Sequence, residues 1–127
     1  MNLFEKKKWI MHSGTESNFK IECDALTSAD WNTIAYLIAK HLSFVNVVGV
    51  PLGGLALAKA LRKYKSTLGP LLIVDDVLTT GTSMEEEKDV YLEQYKNNII
   101  GVVLFVRGKC PNWVIPIFNM NELLERE

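Results

Sequence analysis

The chain has 127 residues, enough for one domain with a real core and too few for two. Hydrophobic residues make up 48% and charged residues 23%, which excludes disordered, collagen-like and coiled-coil classes. Lys and Arg number 14 against 15 Asp and Glu, a net charge of −1, so no general basic character argues for nucleic acid as a partner. Cys23 and Cys110 stand far apart without CxxC or Cys/His ligand spacing. That is expected of two reduced thiols in a cytoplasmic protein, not of a disulfide scaffold or a zinc site. The Lys6–Lys8 run has no apolar stretch behind it to make a signal peptide, and no run approaches the ~20 residues that span a bilayer. A soluble protein without a membrane partner is expected.

In chain order, the opening part from Met1 to Leu26 predicts two short strands, Trp9–Met11 and Phe19–Cys23, around a polar loop from Ser13 to Asn18. Thr27 or Ser28 caps a helix to about Leu42, because Trp31, Ile34, Ala35, Ile38 and Leu42 share one face. Val45–Val50 is a β-branched strand ending in Pro51-Leu52-Gly53-Gly54, and an Ala/Leu-rich helix follows from Leu55 to about Tyr64. Leu71–Val74 is a buried strand ending in Asp75-Asp76. The polar loop Thr79–Ser83 leads into a helix from Met84 to about Lys96. Ile99–Val106 and Val114–Ile117 complete the strands, before a short helix from Asn121. Alternating strands and helices predict an α/β fold: a Rossmann-like parallel sheet flanked by helices. Ligands in such folds lie beyond the carboxyl ends of the strands, here at Pro51–Gly54, Asp75–Ser83 and Arg107–Lys109.

The most informative stretch is Leu71–Ser83, LLIVDDVLTTGTS. Small and hydroxylated residues before a helix let amides, hydroxyls and the helix terminus close on a phosphate. Two carboxylates just ahead of it can accept from vicinal hydroxyls about one sugar ring away. Phosphate beside a diol is the shape of a ribose 5-phosphate. The magnesium-holding strand of a P-loop NTPase would need GxxxxGK[ST] upstream, and Gly49–Leu55 has neither the Lys nor the Ser/Thr.

This stretch resembles the phosphoribosyl-pyrophosphate (PRPP) motif of the type I phosphoribosyltransferases. The resemblance implies that Asp75 and Asp76 bind the ribose 2′- and 3′-hydroxyls at the catalytic centre, and that Thr79, Thr80, Gly81, Thr82 and Ser83 cradle the 5′-phosphate. Val47–Ala58 is similar to the pyrophosphate loop of the orotate enzymes within that family, which implies Leu52, Gly53 and Gly54 as pyrophosphate-binding residues. A cis non-proline peptide is implied there too, at Leu52–Gly53. Met11–Cys23 resembles the orotate enzymes' N-terminal hood: Ser13, Gly14, Ser17 and Phe19 align, and His12 stands where the family has Lys. Base-binding roles follow for Phe19 and His12. A weaker match of Val106-Arg107-Gly108 to the orotate enzymes' Asp-Arg pair, with Val106 in place of the acid, implies one for Arg107. A core Phe, a surface His and a solvated strand-end Arg explain the same residues. The family's mobile basic loop between the pyrophosphate loop and the PRPP strand is missing; only Arg62–Pro70 remains. Arg62, Lys63 or Lys65 substitutes for its cations in cis or across a dimer, or forms a solvated helix end.

The resemblance implies one phosphoribosyltransferase-like domain over 1–127, with a small hood from 1–26 and about 107–120. It implies transfer of ribose 5-phosphate from PRPP to orotate with release of pyrophosphate. Mg²⁺ would be carried on PRPP without a dedicated protein ligand. The implied partners are PRPP, a nucleobase or nucleoside monophosphate, and a second copy of the chain. The alternative is a non-catalytic PRPP or nucleotide sensor that shed the catalytic loop.

Overall fold

A computed structural model describes residues 23–121, together with four two-residue strands before them: β1 (Phe4–Glu5), β2 (Trp9–Ile10), β3 (Glu16–Ser17) and β4 (Lys20–Ile21). These pair antiparallel as β1 with β4 and β2 with β3. Both strands expected in this part are present in shortened form, but they do not pair with each other. His12 and Phe19 lie outside the described residues, as does the chain beyond Asn121.

A 3-10 turn at Cys23–Ala25 leads to helix α1 (Ser28–His41). Thr27 closes a capping box: its Oγ1 accepts from the Asp30 N–H at 3.2 Å, and its own N–H donates to the Asp30 carboxylate at 2.9 Å. Trp31, Ala35 and Ile38 form the buried stripe read from the periodicity. Strand β5 (Asn46–Gly49), helix α2 (Leu55–Leu61), strand β6 (Leu71–Leu78), helix α3 (Thr82–Tyr95), strand β7 (Ile99–Val106) and strand β8 (Val114–Asn119) follow.

The main sheet has the order β5-β6-β7-β8 with every pair parallel. Leu72, Val74, Val102 and Leu104 pack on one side with α1 and α2 residues. Leu71, Ile73, Val103 and Met84 of α3 form a second cluster. A sheet covered on both faces needs continuous apolar strands, and that is why β6 and β7 read as unbroken hydrophobic runs. Among the described residues no helix is long and apolar enough to cross a membrane.

Three boundaries differ from the sequence reading. Strand β6 does not stop at Val74: Asp75, Val77 and Leu78 stay in register with Val103, Phe105 and Val106 of β7. The acids therefore sit within a paired strand, held by backbone partners that composition does not reveal. Helix α3 begins at Thr82, so two hydroxyl residues of the loop belong to its first turn. Residues 114–119, assigned to the hood on sequence, pair with β7 and complete the main sheet. The reason is that β7 is buried along nearly its whole length and requires a neighbour on each side.

Between α1 and β8 the surface carries an apolar groove of about 370 Å³ lined by Ile34, Leu37, Leu42, Ile115, Ile117 and Phe118. It lies away from the strand ends where the chemistry-bearing residues gather.

Candidate functional site

The polar residues collect at the carboxyl end of the sheet because each strand stops there and hands over to a loop. After β5 the chain folds back on itself: the Gly54 N–H donates to Val50 O at 2.8 Å, and the Val50 N–H donates to Val74 O at 2.9 Å. A Cβ at Gly54 would overlap Val74 O and crowd the Val50 backbone, so only glycine fits this crossing. The cis peptide bond is Pro51–Leu52, one position earlier than Leu52–Gly53; neighbouring bonds of this loop carry no sequence mark that separates them. Leu52 and Gly53 are exposed and Gly54 is buried.

Beside this loop stand the two acids. Asp75 is only 7% exposed, whereas Asp76 is half-buried. Strand β5 ends at its pairing with Val74, so the Asp76 N–H has no strand partner on that side and donates to Asp75 Oδ1 at 2.8 Å. The Val77 N–H donates to Asp76 Oδ1 at 2.7 Å. Burial, and then the Asp76 carboxyl hydrogen-bonded beside it, push the Asp75 carboxyl up to about 8. The pair thus holds a proton near neutrality and presents less than two full charges.

The Asp76 carboxylate occupies the space where a Cβ of Gly53 would lie. The pyrophosphate-type loop and the acid pair, predicted separately, are therefore in van der Waals contact. Cys23 joins them: its half-buried thiol lies beside the Asp76 carboxylate. Burial first, and then that carboxylate, push the thiol up to about 12, so it remains protonated. Sequence reasoning gave Cys23 no role. The contact is long-range, and an isolated cysteine carries no motif that would announce it.

The loop after β6 turns at Gly81, whose φ of +85° places it in the left-handed region at the cap of α3. Thr79, Thr80, Thr82 and Ser83 are exposed around it, with the Thr80 and Thr82 hydroxyls hydrogen-bonded to each other at 3.1 Å. The first intrahelical bond of α3 runs from the Glu85 N–H to Gly81 O at 3.0 Å, and ahead of it the Thr82 N–H donates to Thr80 Oγ1 at 3.4 Å. The Glu85 carboxylate faces away from this loop, accepting from Trp113 Nε1 at 2.7 Å.

Arg107 follows β7 and is half-buried; its N–H donates to Leu78 O at 2.8 Å. Gly108, with φ +111°, packs on Thr79: a Cβ there would lie 2.8 Å from Thr79 O. The Asn121 side chain clamps Gly108, accepting from its N–H at 3.2 Å and donating to its carbonyl at 2.9 Å. The Arg107 turn is thereby fixed against the hydroxyl loop. The structure does not bring Arg62, Lys63 and Lys65 to this end. They sit past the carboxyl end of α2, in a 3-10 turn (Arg62–Tyr64) and its cap, and the next residue, Ser66, donates to Phe44 O at 2.8 Å. Phe44 precedes β5, so these cations lie at the amino end of the sheet. Their substitution for the missing loop in cis is not supported by this geometry.

No protein-family model matches the chain, and no curated protein does. Solved structures do. An orotate phosphoribosyltransferase from Aeropyrum pernix superposes with a TM-score of 0.75 at 21% identity, covering 98% of this chain and 92% of that one. The UMP synthase of Leishmania donovani gives 0.71 at 18% identity, over 97% of this chain and 35% of that one. An orotate phosphoribosyltransferase from Mycobacterium tuberculosis in complex with inorganic phosphate gives 0.65 at 15% identity, over 94% and 89%. The α/β core has the fold of these phosphoribosyltransferase structures.

Proposed function

We propose that this chain is a phosphoribosyltransferase of the orotate type, transferring ribose 5-phosphate from PRPP to a pyrimidine base, orotate, and releasing pyrophosphate. The observation that supports this reading most is the meeting of three loops that the sequence separates. The Asp76 carboxylate lies against Gly53, and Gly108 lies against Thr79. In this reading Asp75 and Asp76 accept from the ribose hydroxyls, and Thr79–Ser83 with the α3 amides hold the 5′-phosphate. Leu52–Gly54 turn backbone groups to the pyrophosphate, while Arg107, Phe19 and His12 serve the base.

Transfer at C1′ needs no covalent protein intermediate. The residues orient the sugar, keep water out and stabilise charge that grows on the leaving group. Mg²⁺ carried on PRPP would supply Lewis-acid charge there. The Asp76 carboxylate beside the loop is the hard oxygen donor that suits it. A second copy of the chain is the remaining proposed partner.

Consumption of orotate in a PRPP- and Mg²⁺-dependent assay tests this; absence of turnover with measurable PRPP binding contradicts it. A second reading, a non-catalytic phosphoribosyl sensor, is favoured by one observation: Arg62, Lys63 and Lys65 stand at the far end of the sheet.

A further inference from the structure

We propose that the pocket is selective for a ribose 5-monophosphate ester, as a free sugar phosphate or a nucleoside 5′-monophosphate, over PRPP. This rests on the reading that the carboxyl end of the sheet holds a phosphoribosyl group. The monophosphate and PRPP share the sugar and its 5′-phosphate, and differ by a diphosphate at C1′. The two sides of the site treat those anions differently.

On the β6–β7 side the structure offers what a monophosphate needs. Gly81 opens a turn ringed by four exposed hydroxyl residues, Thr79, Thr80, Thr82 and Ser83, at the head of a 14-residue helix. Arg107 is pinned next to that turn by the Arg107–Leu78 hydrogen bond and the Gly108–Thr79 contact. The Arg107 backbone is thus fixed beside the helix terminus.

On the β5 side the balance is reversed. The segment Gly49–Ala58 contains no Lys, Arg or His. Leu52, at its tip, is 84% exposed and apolar. Gly53 has the Asp76 carboxylate packed on it, in the place a side chain would fill. The basic residue nearest in sequence, Lys59, is in the last turn of α2, which leads away from this loop, and Arg62, Lys63 and Lys65 are at the opposite end of the sheet. Between Gly49 and Ala58 a diphosphate meets no cationic side chain, and the Asp76 carboxylate stands on Gly53. Neutral amide bonds are weaker than charge-assisted ones, and a like charge at contact opposes a diphosphate that arrives without Mg²⁺. The diphosphate is thus the part of PRPP that this chain is least equipped to hold.

Titration calorimetry of the whole chain with ribose 5-phosphate, uridine 5′-monophosphate and PRPP, each with and without excess Mg²⁺, tests the inference. The monophosphates should bind at least tenfold more tightly than PRPP in both conditions, with Mg²⁺ narrowing the gap. In Leu52→Lys, which removes a side chain that is almost wholly exposed and adds a cation, the PRPP-to-monophosphate affinity ratio should rise about tenfold. PRPP binding as tightly as the monophosphates, or more tightly, overturns the selectivity and leaves the phosphoribosyl reading standing. No binding of any of the three overturns the phosphoribosyl reading itself, and the selectivity with it.

Discussion

The two ends of the main sheet are built from the same four strands and do opposite things. At the amino end the loops close on themselves through backbone bonds: Ser66 to Phe44 O, the Val45 N–H to Pro70 O at 3.0 Å, and the Leu71 N–H to Asn98 O at 3.0 Å. Its basic residues, Arg62, Lys63 and Lys65, are exposed. At the carboxyl end, β5 stops short of β6. The Asp76 N–H must then turn to a carboxylate, and a glycine leaves room for a second one. The first end satisfies its polar groups internally; the second leaves the hydroxyls of Thr79, Thr80, Thr82 and Ser83 exposed beside a half-buried Asp76 and a buried Asp75. Polar side chains gather where strand pairing ends unevenly, and charge alone does not mark that end, since exposed cations stand at both: Arg62, Lys63 and Lys65 at one, Lys109 at the other.

The sharpest way to break this contrast is at Gly54. A Cβ there meets backbone on every side, so Gly54→Ala should destabilise the fold by about 3 kcal/mol, read by thermal or urea unfolding. An effect below about 0.5 kcal/mol would mean that the β5 loop is not held as described. Next in size is the acid pair. Asp75→Asn with Asp76→Asn should weaken ribose 5-phosphate binding by about 10²-fold or more while the fold stays intact by circular dichroism. Unchanged affinity would remove the acids from the site.

A smaller effect follows from the Asp75 carboxyl, raised from 3.8 to about 8 chiefly by burial. The native state keeps a proton that the unfolded chain releases, so this group's contribution is fully present below the unfolded value. It is lost as pH rises through about 8. Unfolding stability measured from pH 4 to pH 8 should therefore fall more steeply in the parent than in Asp75→Asn. Parallel profiles would contradict the buried, protonated acid. The smallest effect belongs to the amino end. Arg62→Ala, Lys63→Ala and Lys65→Ala together should leave ligand affinity unchanged and stability within about 0.5 kcal/mol. A loss of affinity would mean that a second copy brings these cations to the site.

Much of this was legible in the sequence. The Trp31/Ala35/Ile38 stripe, the β-branched runs and the Thr27 cap have local causes, so helices and strands could be placed from residues alone. The hydroxyl loop and acid pair were readable as neighbours because they follow one another in the chain, where β6 ends and α3 begins. What escaped depends on distant partners. The extension of β6 through Asp75 rests on pairing with Val103, Phe105 and Val106. The role of residues 114–119 rests on the free edge of β7. The thiol of Cys23 meets Asp76 only in the folded chain. Placement of Arg62, Lys63 and Lys65 needed the direction of α2, which runs from the site to the opposite end.

The most direct measurement is a crystal structure of the chain with ribose 5-phosphate bound. The phosphate is predicted on the amides and hydroxyls of Thr79–Ser83, with the sugar hydroxyls on Asp75 and Asp76. Ligand density at any other place, or none at that loop under saturating ligand, would contradict the account.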